Sequence, residues 1–151
     1  MSQAQLPVNL DQAVTPGFAR RLAAMLYDWL LLFALMLVAT SLITLPLGMP
    51  SGIGLVLFQT FTFLLLPALF FTGFWVRGGQ TLGMRSWRIR VVTSTGHRLT
   101  WLIALRRLLA AILSLIPCGL GFIWILFDQD RLAWHDRLSG TRLILLQPRQ
   151  R

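Results

Sequence analysis

The run from Leu22 to Leu47 reads LAAMLYDWLLLFALMLVATSLITLPL, and Asp28 is its only charge. No residue between Asp28 and Arg77 is charged, and that interval breaks once, at residues 46–54 (PLGMPSGIG), a cluster of turn formers. Crossing the hydrocarbon core takes about 20 apolar residues. The pattern therefore predicts two spans, about Leu22–Thr44 and Ile53–Val76, joined as a helical hairpin. Thr15 and Pro16 predict the start of the first helix, with threonine as N-cap and proline in the first helical position. Pro67 predicts a kink in the second span and a freed carbonyl that Thr62 or a neighbouring helix would satisfy. Trp75, near its end, suits the aromatic belt at a membrane interface.

A third apolar stretch, Leu108–Phe127, holds twenty residues without a charge. Length alone predicts another crossing. Against this, residues 117–121 (PCGLG) divide the stretch, and the nine residues before them make a helix only about 14 Å long. A full crossing would also set Arg131, Arg137, Arg142, Arg149 and Arg151 across the membrane from the other arginines. A re-entrant or interfacial helical hairpin is the favoured reading. Between the second and third stretches, Trp87–Val91 alternates apolar and basic residues at strand period. A turn at Ser94–Gly96 then allows Arg98–Trp101 to return as a second strand. Thr141–Leu146 is also strand-like and offers a partner for Trp87–Val92. The expected fold is an all-α membrane protein with two transmembrane helices, a third apolar span or re-entrant helical hairpin, and a small cytoplasmic β element. Residues 1–15 read as a flexible tail that stays uncleaved, 16–146 as the membrane domain and 147–151 as a basic tail.

The composition agrees with that class: of 151 residues 56% are hydrophobic, and the mean hydropathy is +0.68. The net charge of +9 would suit nucleic acid, but its placement has a simpler cause. All fourteen basic residues are arginine, and seven of them lie from Arg77 to Arg107. The positive-inside rule then sets the N-terminus and the 77–107 segment in the cytoplasm of a bacterial inner membrane, with arginines facing anionic headgroups. Nucleic acid is rejected as a partner. Cys118 is the sole cysteine, which excludes an internal disulfide and a thiolate metal site; it reads as a small apolar residue at a break. The glycine-rich run 78–83 (GGQTLG) lacks the lysine and following hydroxyl residue of a phosphate-cradling loop and reads as a tight turn.

Three groups carry the candidate chemistry: Arg21 with Asp28; Asp128, Asp130 and Arg131; and His135, Asp136 and Arg137. Arg21 and Asp28 stand seven residues apart, so they share a helix face about 10 Å apart along its axis. They read either as a structural ion pair or as a cation- or proton-binding carboxylate with a competing counter-ion. His135–Arg137 reads either as a proton relay or as a loop anchor, the anchor being favoured. There is no HExxH, CxxC or GxSxG and no glutamate, and His97 and His135 lack metal-ligand spacing. No enzymatic activity, metal or cofactor is expected.

RRLAAMLYD near the start, GGQTLGMRSWRIRVV in the middle and HDRLSGTRLIL near the end resemble the RDD family of bacterial inner-membrane proteins. That family is named for one arginine and two aspartates, and the likeness covers about residues 18–146. Arg21 and Asp28 match the arginine and the first aspartate. Asp136 matches the second, with Asp128 the other candidate at the membrane edge. The resemblance identifies kin better than activity and points toward transport. Two functions are carried forward. One is a small, oligomeric transporter or ion-translocating subunit using the intramembrane Asp and Arg. The other is a non-transporting adaptor that binds lipid or a partner protein. Pairing of Asp28 with Arg21 would favour the adaptor, and a polar cavity shared by Asp28 and Asp136 would favour transport.

Overall fold

The computed structural model describes residues 8–10, 13–117 and 119–146. Helix α1 (Phe18–Leu47) is a 30-residue apolar rod, about 45 Å long and ample for a bilayer. Its buried residues are Arg21, Ala24, Asp28 and Leu32. Spaced by three and four, they form one narrow stripe. Around the rest of the rod Trp29, Leu30, Phe33 and Leu45 point outward, an arrangement suited to acyl chains. The helix starts two residues later than the Thr15 cap predicts. Gly17 is the N-cap, with no side-chain cap, because the Pro16 carbonyl accepts Arg21 Nε at 3.1 Å and holds the entering chain outside the helix.

The second span comprises α2 (Gly52–Thr60), a π-helical turn (Phe61–Leu65) and α3 (Leu66–Gly78). Together Gly52–Gly78 is long and apolar enough to cross. The widened turn lies just before Pro67, whose ring and missing amide a regular helix cannot accommodate. The expected role of Thr62 is corrected: its hydroxyl is buried without a hydrogen-bond partner among the described residues. The wide turn takes up the proline instead.

The third apolar stretch is bent. Helix α5 (Trp101–Leu115) is followed by α6 (Leu120–Ile123) and a 3-10 turn (Trp124–Leu126), and the two legs meet at 107°. The face of α5 toward the protein carries Ala104, Arg107, Ala110 and Ser114, while Leu102, Leu105, Leu109 and Leu113 lie exposed. Gly121 permits α6 to close on α5, since a Cβ there would stand 2.6 Å from Ser114 Cβ.

Three short elements complete the fold: α4 (Leu82–Ser86), α7 (Trp134–Ser139) and a sheet of β1 (Ile89–Thr93) with β2 (Thr141–Leu145). The strands are antiparallel, with Val91 opposite Leu143, the pairing that the 87–92 and 141–146 patterns predict. The return strand expected at 98–101 does not form. Thr93 and His97 close a turn through Thr93 N to His97 O at 3.0 Å, and Thr100 then caps α5 by accepting the Ile103 amide, which commits this segment to a helix start. The core at this end joins Ile89, Val91, Leu99 and Leu143 to Ala24, Trp75, Met84 and Ala104 of the helices. Within the stretch expected as a flexible tail, two points are held: Val8 N bonds Gly96 O at 3.1 Å, and Val14 O accepts Leu145 N at 2.8 Å. The expectations for Cys118, the rest of the 1–15 tail and residues 147–151 lie outside the described residues.

Candidate functional site

The buried stripe of α1 meets two different neighbours. Toward the start of the helix, Arg21 reaches residues more than a hundred positions away in sequence. Its Nη1 donates to Asp136 Oδ2 at 3.0 Å, and its Nη2 donates to the carbonyl of Arg131 at 2.9 Å. Arg131 lies in the left-handed region at φ 53°, uncommon for a residue with a side chain, and its carbonyl is spent on this guanidinium. Asp136 is fully buried, at 0% exposure. Its Oδ2 also accepts the Ala133 amide at 3.1 Å, capping the first turn of α7 and favoured there by the helix dipole. Its Oδ1 faces Arg107 Nη1 at 2.7 Å. Arg107 donates onward to the Thr141 hydroxyl at the start of β2, and its guanidinium lies 5.3 Å from the centroid of the Trp75 ring, a cation–π arrangement. One carboxylate thus ties α1, α5 and α7 together, and through Arg107 the sheet.

Burial alone would raise the carboxyl of Asp136, but Arg107, His135 and Arg21 outweigh it and hold it down at about 2. Its neighbour His135 is pushed down to about 4, chiefly by burial, with Asp136 opposing and the two guanidiniums assisting. The imidazole is therefore neutral near pH 7. Its Nε2 stands 3.6 Å from Asp136 Oδ1, beyond a hydrogen bond, and its ring packs 4.7 Å from that of Phe122. This geometry is that of an anchor more than of a relay. With His135 neutral, two guanidiniums surround one carboxylate, and the cluster carries a net positive charge.

Seven residues along the same stripe, Asp28 has other partners. Its Oδ1 accepts the Gly83 amide at 2.8 Å, and its Oδ2 accepts the Thr81 hydroxyl. The same threonine oxygen accepts the Met84 amide and caps α4. Gly83 fits only because it is glycine: a Cβ would lie 2.3 Å from the Ala24 carbonyl and 2.9 Å from Asp28 Cγ. Among the described residues, Asp28 makes no ion pair. The expected Arg21–Asp28 pair is thus corrected. Two helical turns separate their backbones, and each side chain is satisfied by a nearer group from another element. The structure brings Arg21 and Asp136 together and places Asp28 in a separate set of bonds.

The secondary candidates lie at the edge. Arg137 Nη2 pairs with Asp128 Oδ1 and, at 3.3 Å, with Asp130 Oδ2. The Leu132 amide at 2.8 Å is the main group holding the Asp128 carboxyl below its usual range; a burial penalty opposes it and Arg137 assists. This pairing fixes the 128–132 loop that presents the Arg131 carbonyl. Thr81, Gly83 and Arg107 were not among the predicted site residues, yet each binds one of the two key aspartates. Among the described residues no three His, Cys, Asp or Glu side chains converge as a metal site.

The chain matches the family model described as the RDD family over residues 15–140. It is also 33% identical over 84 residues to an uncharacterized protein of Rickettsia prowazekii (strain Madrid E), covering 55% of this chain and 46% of that one. The chain therefore spans less than half the length of that curated relative. No solved structure matches it.

Proposed function

The chain belongs to the RDD family of membrane proteins, and we propose that within it this protein translocates a small cation or proton, with Asp28 as the responding carboxylate. The carrying observation is the composition of the Asp28 environment. A buried carboxylate inside a span is held by one hydroxyl and one amide, without a guanidinium among the described residues. Neutral donors orient a carboxylate without consuming its charge, so a proton or a metal cation can still provide the compensating charge. Asp136, by contrast, already has two cationic partners and serves to position α1 against α5 and α7. In this reading both termini face the cytoplasm of a bacterial inner membrane, so the arginines share one side. Two spans and a bent third leave little room for an internal pathway, which favours an oligomer. No enzymatic activity is assigned.

The second reading is a non-transporting adaptor, in which Asp28 simply latches α1 to the turn before α4. The tight fit of Gly83 against Ala24 and Asp28 favours it. Proteoliposome flux separates the two. Sodium, potassium and proton fluxes are measured for the wild type and for Asp28→Asn at matched reconstitution. Asparagine can keep the Gly83 bond and donate to the Thr81 hydroxyl in place of accepting from it, while removing the charge. Loss of flux in a folded, inserted variant supports translocation. Wild-type flux in Asp28→Asn, or no flux from the wild type for any of these ions, supports the latch.

A further inference from the structure

A cavity of about 430 Å³ opens where α3 leaves the membrane and meets α4 and β1. Its volume falls within the range of about 300–1,000 Å³ common for small-ligand sites. Arg77 from the last turn of α3, Arg85 from α4 and Arg90 from β1 line its polar side. Leu69, Phe70 and Phe74 of α3 line the other. Among the described residues neither Arg77 nor Arg85 forms an ion pair, and both are exposed. The two walls are therefore chemically opposite, and they meet at the depth where a span gives way to the interface.

We infer that this cavity binds the phosphate-bearing headgroup of an anionic phospholipid, its acyl chains running down the Leu69–Phe74 face of α3. A free phosphate would use the arginines but has no use for the apolar wall. A zwitterionic lipid would bring an ammonium group into an arginine cluster. An anionic diacyl lipid satisfies both walls at once: guanidiniums pair with its phosphate, and the rings and leucine continue the apolar surface that the span presents to the bilayer. The fold fixes the backbone that carries Arg85 and Arg90, because Thr81 caps α4 while bonded to Asp28, and β1 is paired along its length with β2. The inference stands independently of any transport activity.

The test is native mass spectrometry of the full chain in a non-ionic detergent, titrated with phosphatidylglycerol or with phosphatidylcholine of identical chains. The wild type should retain phosphatidylglycerol about thirtyfold more tightly, the size expected when two arginines act on the net negative charge of one headgroup. Arg77→Gln/Arg85→Gln should reduce the preference to within about twofold, whereas Arg20→Gln/Arg106→Gln, which changes exposed arginines outside the cavity, should keep it. Arg77→Lys/Arg85→Lys should retain most of it and covers the case in which the glutamine variant does not fold. Equal retention of both lipids by the wild type would overturn the proposal, as would equal losses in the cavity and control variants. Inorganic phosphate or glycerol phosphate at millimolar concentration should fail to displace the lipid; displacement by either would reassign the site to a soluble phosphate ligand.

Discussion

Asp28 and Asp136 are both buried aspartates, and both help to fix α1, yet their surroundings are opposite. Asp136 sits between two guanidiniums beside a neutral histidine. Asp28 accepts one hydroxyl and one amide and meets no cation among the described residues. A carboxylate between cations is fixed in its ionised form, because neutralising it would leave two buried positive charges facing each other. A carboxylate held by neutral donors has no such lock. Identical residue types thus divide into a keystone between cations and a carboxylate held by neutral donors, and the partners set the division.

The largest effect should come from the keystone. Asp136→Asn strands Arg21 and Arg107, each 4% exposed, and should destabilise the protein by about 3–5 kcal/mol. Thermal unfolding in detergent, or the yield of monodisperse protein, would register it. A near-normal unfolding temperature would erase the distinction between the two aspartates. A double-mutant cycle sharpens the same point. Arg21→Ala with Asp136→Ala should show coupling of about 0.5–3 kcal/mol, the double variant recovering part of the loss, while Arg21→Ala with Asp28→Ala should add within about 0.5 kcal/mol. Coupling in the second cycle would restore the pair suggested by the helix face alone.

These expectations mark what the sequence made readable. The spans follow from charge-free runs, the bend from the Pro117–Gly121 break, and the β1–β2 pairing from an alternating segment at 87–91 and a strand-like one at 141–146. Each is a local pattern whose period is set by the backbone. The partner of Arg21 is not local: Asp136 lies 115 positions away, and only docking of α5, α7 and β2 brings it near. Arg107 was hidden among the arginines that the charge rule explains. Its signal was its place between Ala104 and Ala110 on α5, a face of small residues on a helix otherwise rich in leucine. The GGQTLG turn was readable as a turn, but its ligation of Asp28 depends on Gly83 approaching α1 closely, and a glycine in sequence does not say what it approaches.

Acid should act on the keystone in two windows of the same sign. His135 titrates near 6.5 when unfolded and at about 4 when folded. Between these values the unfolded chain binds the extra proton, so stability falls as pH drops from about 6.5 to 4, by on the order of 3 kcal/mol at about 1.4 kcal/mol per pH unit. Asp136, held down to about 2 from 3.8, contributes stability that is present above 3.8 and lost as pH falls from there toward 2. Unfolding temperatures measured from pH 7 to pH 4 should fall steadily in the wild type. His135→Phe should flatten that decline, because it removes the group that the unfolded state protonates first. An equally steep decline in His135→Phe would mean that other groups set the acid response.

The smallest effect on stability should come from Asp28→Asn, and there the comparison is most exposed to failure. The asparagine oxygen can accept the Gly83 amide, and its NH2 can donate to the Thr81 hydroxyl, which accepts as readily as it donates. No buried cation loses a counter-charge. The expected destabilisation is therefore within about 1 kcal/mol, well below that of Asp136→Asn, with α4 still capped by Thr81. Asp28→Ala should cost more than Asp28→Asn, since it leaves both donors unsatisfied, and Gly83→Ala should cost more than either because of the close approach to the Ala24 carbonyl. Unfolding temperatures of the four variants side by side give the ranking directly. If Asp28→Asn proves as damaging as Asp136→Asn, the charge at position 28 is itself structural, and Asp28 takes its place beside Asp136 as a second keystone with no freedom to respond to an ion.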